Sequence, residues 1–148
     1  MITEIEQFSI SNNNKDEENS LLMFNEKTTN ILIHGSYIEA QFSIENNYLV
    51  FSSHCEPYNE ELSIYLLNSD FEIMDYITLT EAILINGESY LEDVSIIDKN
   101  KISFEFISNK PWILTILDKP KRLLKFNPIF FVRRFNQLFI KKYLKLSH

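Results

Sequence analysis

Between Tyr37 and Ile44 the chain alternates without a break: Ile38, Ala40, Phe42 and Ile44 take one phase, and Tyr37, Glu39, Gln41 and Ser43 take the other. A period of two held over eight residues lines one face of an extended strand with apolar groups, and no helix can bury that pattern on one side. The same texture recurs. Glu45-Asn46-Asn47 divides this strand from Tyr48–Ser53, and Asn68-Ser69-Asp70 divides Leu62–Leu67 from Phe71–Leu79. Lys99-Asn100-Lys101 likewise joins Leu91–Asp98 to Ile102–Ser108, so three hairpins are predicted. Ala82–Ile85 ends in Asn86-Gly87, suited to a type I′ turn because both central residues need positive φ. Trp112–Leu117 is almost continuously apolar, the mark of a strand covered on both faces.

The end of the chain reads differently. Asn127-Pro128 offers an N-cap followed by proline at the first helical position. From there Phe131, Val132, Phe135, Leu138, Phe139 and Tyr143 fall on one side of a helical wheel, with Arg133, Arg134, Gln137, Lys141 and Lys145 on the other. One amphipathic helix is predicted, with Phe131, Phe135 and Leu138 completing the core.

The expected fold is therefore mainly β with a C-terminal α element. It is an antiparallel meander of about eight strands forming a sandwich or open barrel, packed by that one helix. A chain of 148 residues, 45% of them hydrophobic and 14% aromatic, is long enough for one cored domain spanning 1–148 and short for two. Residues 1–10 could make a first strand, but residues 11–20 are polar without periodicity, so 1–20 is expected to be a partly flexible arm. The β core is expected over 21–117, with Asn25 to Asn30 as a turn before strands that start in earnest at Ile31, and a basic linker and helix over 118–148.

Charge divides the chain along the same boundary. Lys119 to His148 carries nine Lys and Arg and no acid, while the first 118 residues hold five Lys and all 21 acids, a balance of −16 against +9. An acidic β-rich part attracts cationic partners and repels nucleic acid phosphates. The basic helix can fold back onto the acidic sheets, lie on an anionic membrane or meet phosphates. Folding back is the expectation, membrane contact the second choice, and no direct nucleic acid contact is expected.

Several chemistries find no support. With only Gly35 and Gly87, a glycine-rich phosphate cradle cannot be built. Cys55 is the single cysteine, so neither an internal disulfide nor a thiolate cluster can form. The start of the chain lacks the basic and apolar regions of a secretory signal, and no apolar run is long enough to span a bilayer, so a cytoplasmic location is expected. His54-Cys55-Glu56 sets a nucleophile beside an imidazole and a carboxylate, but neighbours in an extended segment point to opposite faces. His34, His54 and Cys55 match no ligand spacing. No catalytic residue, metal or cofactor is predicted.

Two acidic features remain. The segment Cys55–Glu61 joins two good strands and combines Glu56, Glu60 and Glu61 with Tyr58, a pairing suited to a basic protein surface. Asp70 and Glu72 follow on the next hairpin. Asp75 occupies the apolar phase of Phe71, Ile73, Ile77 and Leu79, and is therefore buried with a partner, displaced by a bulge, or displayed for binding.

The runs Pro57-Tyr-Asn-Glu-Glu-Leu-Ser-Ile-Tyr-Leu-Leu67, Phe71-Glu-Ile-Met-Asp-Tyr-Ile77 and Val94-Ser-Ile-Ile-Asp-Lys-Asn-Lys-Ile-Ser-Phe-Glu-Phe106 resemble small β-rich bacterial immunity proteins encoded beside polymorphic or contact-dependent toxins. The resemblance covers residues 48–117 and is one of texture, without an invariant motif. It implies a non-enzymatic cytoplasmic inhibitor that masks the active site of a cognate, basic toxin by stoichiometric binding. Glu56, Tyr58, Glu60, Glu61, Asp70, Glu72 and Asp75 are the residues expected to meet that partner. Arg133, Arg134, Lys141 and Lys142 form the exposed basic surface of the expected helix. The alternative is a peripheral membrane or assembly-adaptor protein anchored through that helix.

Overall fold

The computed structural model describes residues 1–11, 19–54, 61–80, 90–107, 110–121, 131–133 and 142–148. Within them the chain is built of antiparallel strands, as the alternation requires, and none of the sheets closes into a barrel. The strands are β1 (Ile2–Glu4), β2 (Phe8–Ser11), β3 (Asn19–Phe24), β4 (Lys27–His34), β5 (Tyr37–Ile44), β6 (Asn47–Ser53), β7 (Glu61–Leu67), β8 (Ile73–Thr80), β9 (Glu92–Asp98), β10 (Lys101–Glu105), β11 (Trp112–Lys121), β12 (Phe131–Arg133) and β13 (Lys142–Ser147). They form a six-stranded sheet in the order β1-β5-β6-β7-β8-β12, a four-stranded sheet β13-β11-β10-β9 and a three-stranded sheet β2-β3-β4.

The six-stranded sheet is central because both of its faces are apolar. Phe42, Leu49, Phe51, Leu62, Ile64, Ile77 and Leu79 share one buried cluster with Ile102, Phe104, Trp112, Leu114, Ile116 and Leu144 of the four-stranded sheet. Val50, Tyr65 and Leu67, in the opposite phase, share a second cluster with Phe8, Leu22 and Ile33 of the three-stranded sheet. Strands covered on both faces lose their alternation, and Leu62 to Leu67 is buried at every position. Each fully buried aliphatic or aromatic side chain here contributes about 1.5–3 kcal/mol relative to exposure. Phe51 and Phe104 meet edge to face across the first cluster, ring centroids 5.5 Å apart.

Bulges decide which cluster a residue joins. Pairing in β5 shifts between Ile38 and Ala40. Ile38 accordingly packs in the second cluster while Ala40 packs in the first, although the sequence puts them in one phase. Gly35, between β4 and β5, has φ +121°, and a Cβ there would stand 2.9 Å from the Ser53 carbonyl oxygen. Glycine is required there by both backbone conformation and space.

Three expectations need correction, and the N-terminus is more regular than expected. Residues 2–4 and 8–11 are strands with Ile2 and Phe8 buried, two short strands where 1–10 offered one; residues 12–18, the polar part of the expected arm, lie outside the described residues. The chain turns only at Asn25-Glu26 before β4, where a turn over Asn25–Asn30 was expected, because both residues accept positive φ (47° and 64°) and close a tight hairpin. β11 is buried on one face only, and it runs on through Pro120 because the ladder to β13 is interrupted between Ile116 and Lys121, where a missing N–H costs nothing. Finally, the expected C-terminal helix is strand at both described parts: Phe131–Arg133 pairs with β8 and Lys142–Ser147 pairs with β11. A free edge on each sheet offers a ladder of backbone partners, which outweighs a local helical period. The remainder of the expected linker and helix, residues 122–130 and 134–141, lies outside the described residues, as does the expected Asn86-Gly87 turn.

Candidate functional site

The turn between β7 and β8 is organised by one side chain. Asn68 Oδ1 accepts the backbone N–H of Asp70 at 2.9 Å and of Glu72 at 2.8 Å, and Asn68 Nδ2 donates to Glu72 Oε2 at 2.9 Å. Phe71, between the two acids, has φ 64°, a conformation that costs a bulky residue on the order of 1–3 kcal/mol. Aromatic packing holds it there. The Phe71 ring lies 5.8 Å from Tyr48 in a stacked arrangement and 5.0 Å from Phe24. Phe8 meets Phe24 at 4.9 Å and Tyr48 at 5.3 Å, both edge to face. Phe8 is buried, while Phe24, Tyr48 and Phe71 are half-buried.

These rings come from strand ends that share one side of the molecule, and the turns beside them carry acids. Glu26 follows Phe24 in the β3–β4 turn, Glu45 precedes Tyr48 in the β5–β6 turn, and Asp70 and Glu72 flank Phe71; all four are exposed. None of these turns holds a cation; exposed Lys27 follows Glu26 as the first residue of β4. Half-buried aromatic rings beside carboxylates can accept Lys or Arg side chains by stacking, cation–π attraction and ion pairing together.

A second polar group lies where β4, β6 and β7 end or begin. His34 Nδ1 is 2.6 Å from Glu61 Oε1, and His34 Nε2 is 3.3 Å from His54 Nε2. The backbone at these histidines is fixed by three contacts: Ser52 Oγ donates to the His34 carbonyl at 2.7 Å, the His34 N–H donates to Tyr65 Oη at 2.9 Å, and Ser36 Oγ donates to the His54 carbonyl at 3.3 Å. Burial pushes the Tyr65 hydroxyl above its ordinary value, against the lowering effect of the His34 and Ser63 hydrogen bonds, and the Glu61 charge adds to the rise.

The residues expected to meet a partner are thus dispersed. Asp70 and Glu72 are displayed together, whereas Glu61 is turned onto His34. Asp75 is 6% exposed, and its Oδ2 accepts the backbone N–H groups of Tyr143 and Leu144, each at 2.8 Å. It is the first of the three alternatives, buried with a partner, and it is removed from any binding surface. The bulge in the β7–β8 ladder lies at Leu66–Leu67 opposite Ile73–Asp75, and it turns Ile73 outward while Asp75 stays inside. Glu56, Tyr58 and Glu60 lie outside the described residues, as do Arg134 and Lys141. Arg133 pairs with Thr78 in β12, and Lys142 lies opposite Lys121 in β13, so neither stands on a helix surface. Sequence reasoning missed the ring cluster, Glu26 and Glu45; the available signal was an aromatic residue next to each acid-bearing turn.

Comparison with protein-family models, with curated proteins and with solved structures finds no match to this chain. Among the described residues no helix is long and apolar enough to cross a membrane, and no group of three or more His, Cys, Asp or Glu is placed to hold a metal ion.

Proposed function

We propose that this protein is a non-enzymatic inhibitor: a cytoplasmic immunity protein that neutralises a cognate, basic toxin, nuclease-like in its charge, by covering the toxin's cationic active-site surface with an acidic face. The observation that carries this reading is the set of acidic turns at Glu26, Glu45, Asp70 and Glu72 around the half-buried rings of Phe24, Tyr48 and Phe71. Such a face supplies what a tight stoichiometric inhibitor needs. Rigid aromatic groups form the centre of an interface, and surrounding carboxylates steer a cationic partner and speed its arrival. The strained Phe71 backbone, fixed before any partner arrives, lowers the entropy cost of docking. The balance of −16 over the first 118 residues extends the attraction beyond this face. In this reading the six- and four-stranded sheets are the two leaves of a β-sandwich, and the third sheet helps present the acidic turns.

The membrane-anchor alternative loses ground because the described parts of the basic tail are strands, with Leu144 fully buried. The test is a binding measurement with the product of the adjacent gene. Asp70→Lys/Glu72→Lys is expected to weaken a complex with that protein at least tenfold, while Asp93→Lys on β9 changes it little. Equal affinity for the wild type and the Asp70/Glu72 variant, or no complex at all, overturns the reading.

A further inference from the structure

A face built of aromatic rings and fixed carboxylates discriminates among cations, where net charge alone does not. We infer that the group this face takes from a partner is the guanidinium of an arginine, laid against the exposed side of the Tyr48–Phe71 ring pair and donating to Asp70 and Glu72, with Asn68 as the positioning residue. The inference deepens the inhibitor reading and rests on its choice of binding face.

Three observations carry this. Among the described residues Glu26, Glu45, Asp70 and Glu72 form no ion pair, and of the last two carboxylates only Glu72 Oε2 receives a side-chain donor, Asn68 Nδ2 at 2.9 Å. The remaining oxygens of Asp70 and Glu72 are open to a donor from outside.

The second observation is how the rings pack. Phe71 lies 5.0 Å from Phe24 and 5.8 Å from Tyr48, and Phe24 lies 5.2 Å from Tyr48, so the rings touch and leave no gap between them for a cation. A methylated ammonium, which fits a cage of rings standing apart around it, finds none here. A planar guanidinium stacks on a ring from outside. Tyr48 and Phe71 stand within 20° of parallel, and a guanidinium laid on either one extends the same stack.

The third is the hold that Asn68 has on the turn. Its Oδ1 accepts the N–H groups of Asp70 and Glu72, its backbone N–H donates to the Glu72 carbonyl, and its carbonyl accepts the Phe71 N–H, the last two at 3.0 Å. Phe71 is thereby fixed between the two acids before any partner arrives. A guanidinium fork can lie on a ring and donate along its edge to flanking carboxylates at once. An ammonium is a compact, strongly hydrated point charge without that planar fork, and it gains little from the ring.

The test is an NMR titration of the full chain at low salt with two peptides of equal charge, a glycine-spaced tri-arginine amide and its tri-lysine counterpart. The arginine peptide is expected to bind at least about threefold more tightly, shifting the Tyr48 and Phe71 ring signals together with the amides of residues 68–72. Asp70→Asn/Glu72→Gln is expected to weaken both peptides. Phe71→Leu and Asn68→Ala are each expected to bring the arginine peptide down toward the lysine peptide, and this ratio is a readout that a change in net charge alone does not move. Far-UV circular dichroism checks the fold of each variant, and the wild-type ratio decides the question even if a variant misfolds. Equal affinity for the two peptides, or a preference that Phe71→Leu leaves intact, overturns the arginine site whatever the adjacent-gene product does. An arginine preference in a chain that forms no complex with that product upholds the site and overturns the inhibitor reading alone.

Discussion

At the scale of single residues, Tyr65 shows how a polar group is kept inside a β protein. Its ring stacks on Tyr76 at 5.4 Å and lies in the second core, while its hydroxyl accepts the His34 N–H that would otherwise be left at the end of β4. A phenol whose folded pKa is raised favours the folded chain while it stays neutral. Its contribution is therefore complete below the unfolded value of 10.0 and is lost as pH rises from there through the folded value. We expect the Tyr65 ring signal to titrate at higher pH in the folded protein than in urea, and stability to decline above about pH 10 less steeply in Tyr65→Phe. An unshifted titration contradicts the burial argument. Phe71 makes a parallel point, because its positive φ is tolerated where Phe24 and Tyr48 grip the ring.

Among the elements, β13 is the least expected. Consecutive N–H groups in a regular strand point to opposite sides, yet Tyr143 and Leu144 both donate to Asp75. The ladder to β11 is broken just there, between the Leu144 and Lys142 pairs, so the bulge aims both donors at β8. Asp75→Ala leaves two donors without their acceptor, one of them on a fully buried residue, and is expected to cost about 2–4 kcal/mol in urea unfolding. Asp75→Asn keeps an acceptor oxygen and is expected to cost less than half as much. In the alanine variant the Tyr143 and Leu144 amides should exchange faster than those of β10. A cost below about 0.5 kcal/mol, the level of an ordinary surface change, contradicts this role.

The same strand shows where the sequence was legible. Period-two alternation revealed β5 and β10, and short polar turns revealed the β5–β6, β7–β8 and β9–β10 hairpins, because each depends on neighbours in the chain. The described parts of the tail misled because Phe131, Val132 and Tyr143 also fit a helical period. Leu144 was the discordant residue: it falls on the Lys/Arg side of that wheel, and it is fully buried in the structure. The bulge that sends Ile38 to the second core, and the pairing of Asp75 with β13, depend on strands distant in sequence and leave no local trace. Of the acidic site, Asp70 and Glu72 were legible as a charged turn. The grouping of Phe8, Phe24, Tyr48 and Phe71 was not, since it requires the three-stranded sheet to lie on the six-stranded one.

For the whole molecule, layering and charge belong together. Two described segments of the basic tail join the sheets, β12 on the edge of the central sheet and β13 on the edge of the four-stranded one. Lys142 and Lys145 are thereby kept with the four-stranded sheet, while the described acidic turns Asn25–Glu26, Glu45–Asn46 and Asn68–Glu72 cluster around the rings beside the third sheet. Steering by such a face falls with ionic strength, so association with a basic partner is expected to slow at least tenfold between low and near-physiological salt. The most direct test of the central claim is a hydrogen-exchange footprint of the full chain in complex with the adjacent-gene product. Protection is predicted at residues 25–27, 45–48 and 68–72, with β9 unchanged. A footprint confined to β9 or to the basic tail, leaving those three turns as exposed as in the free protein, contradicts it.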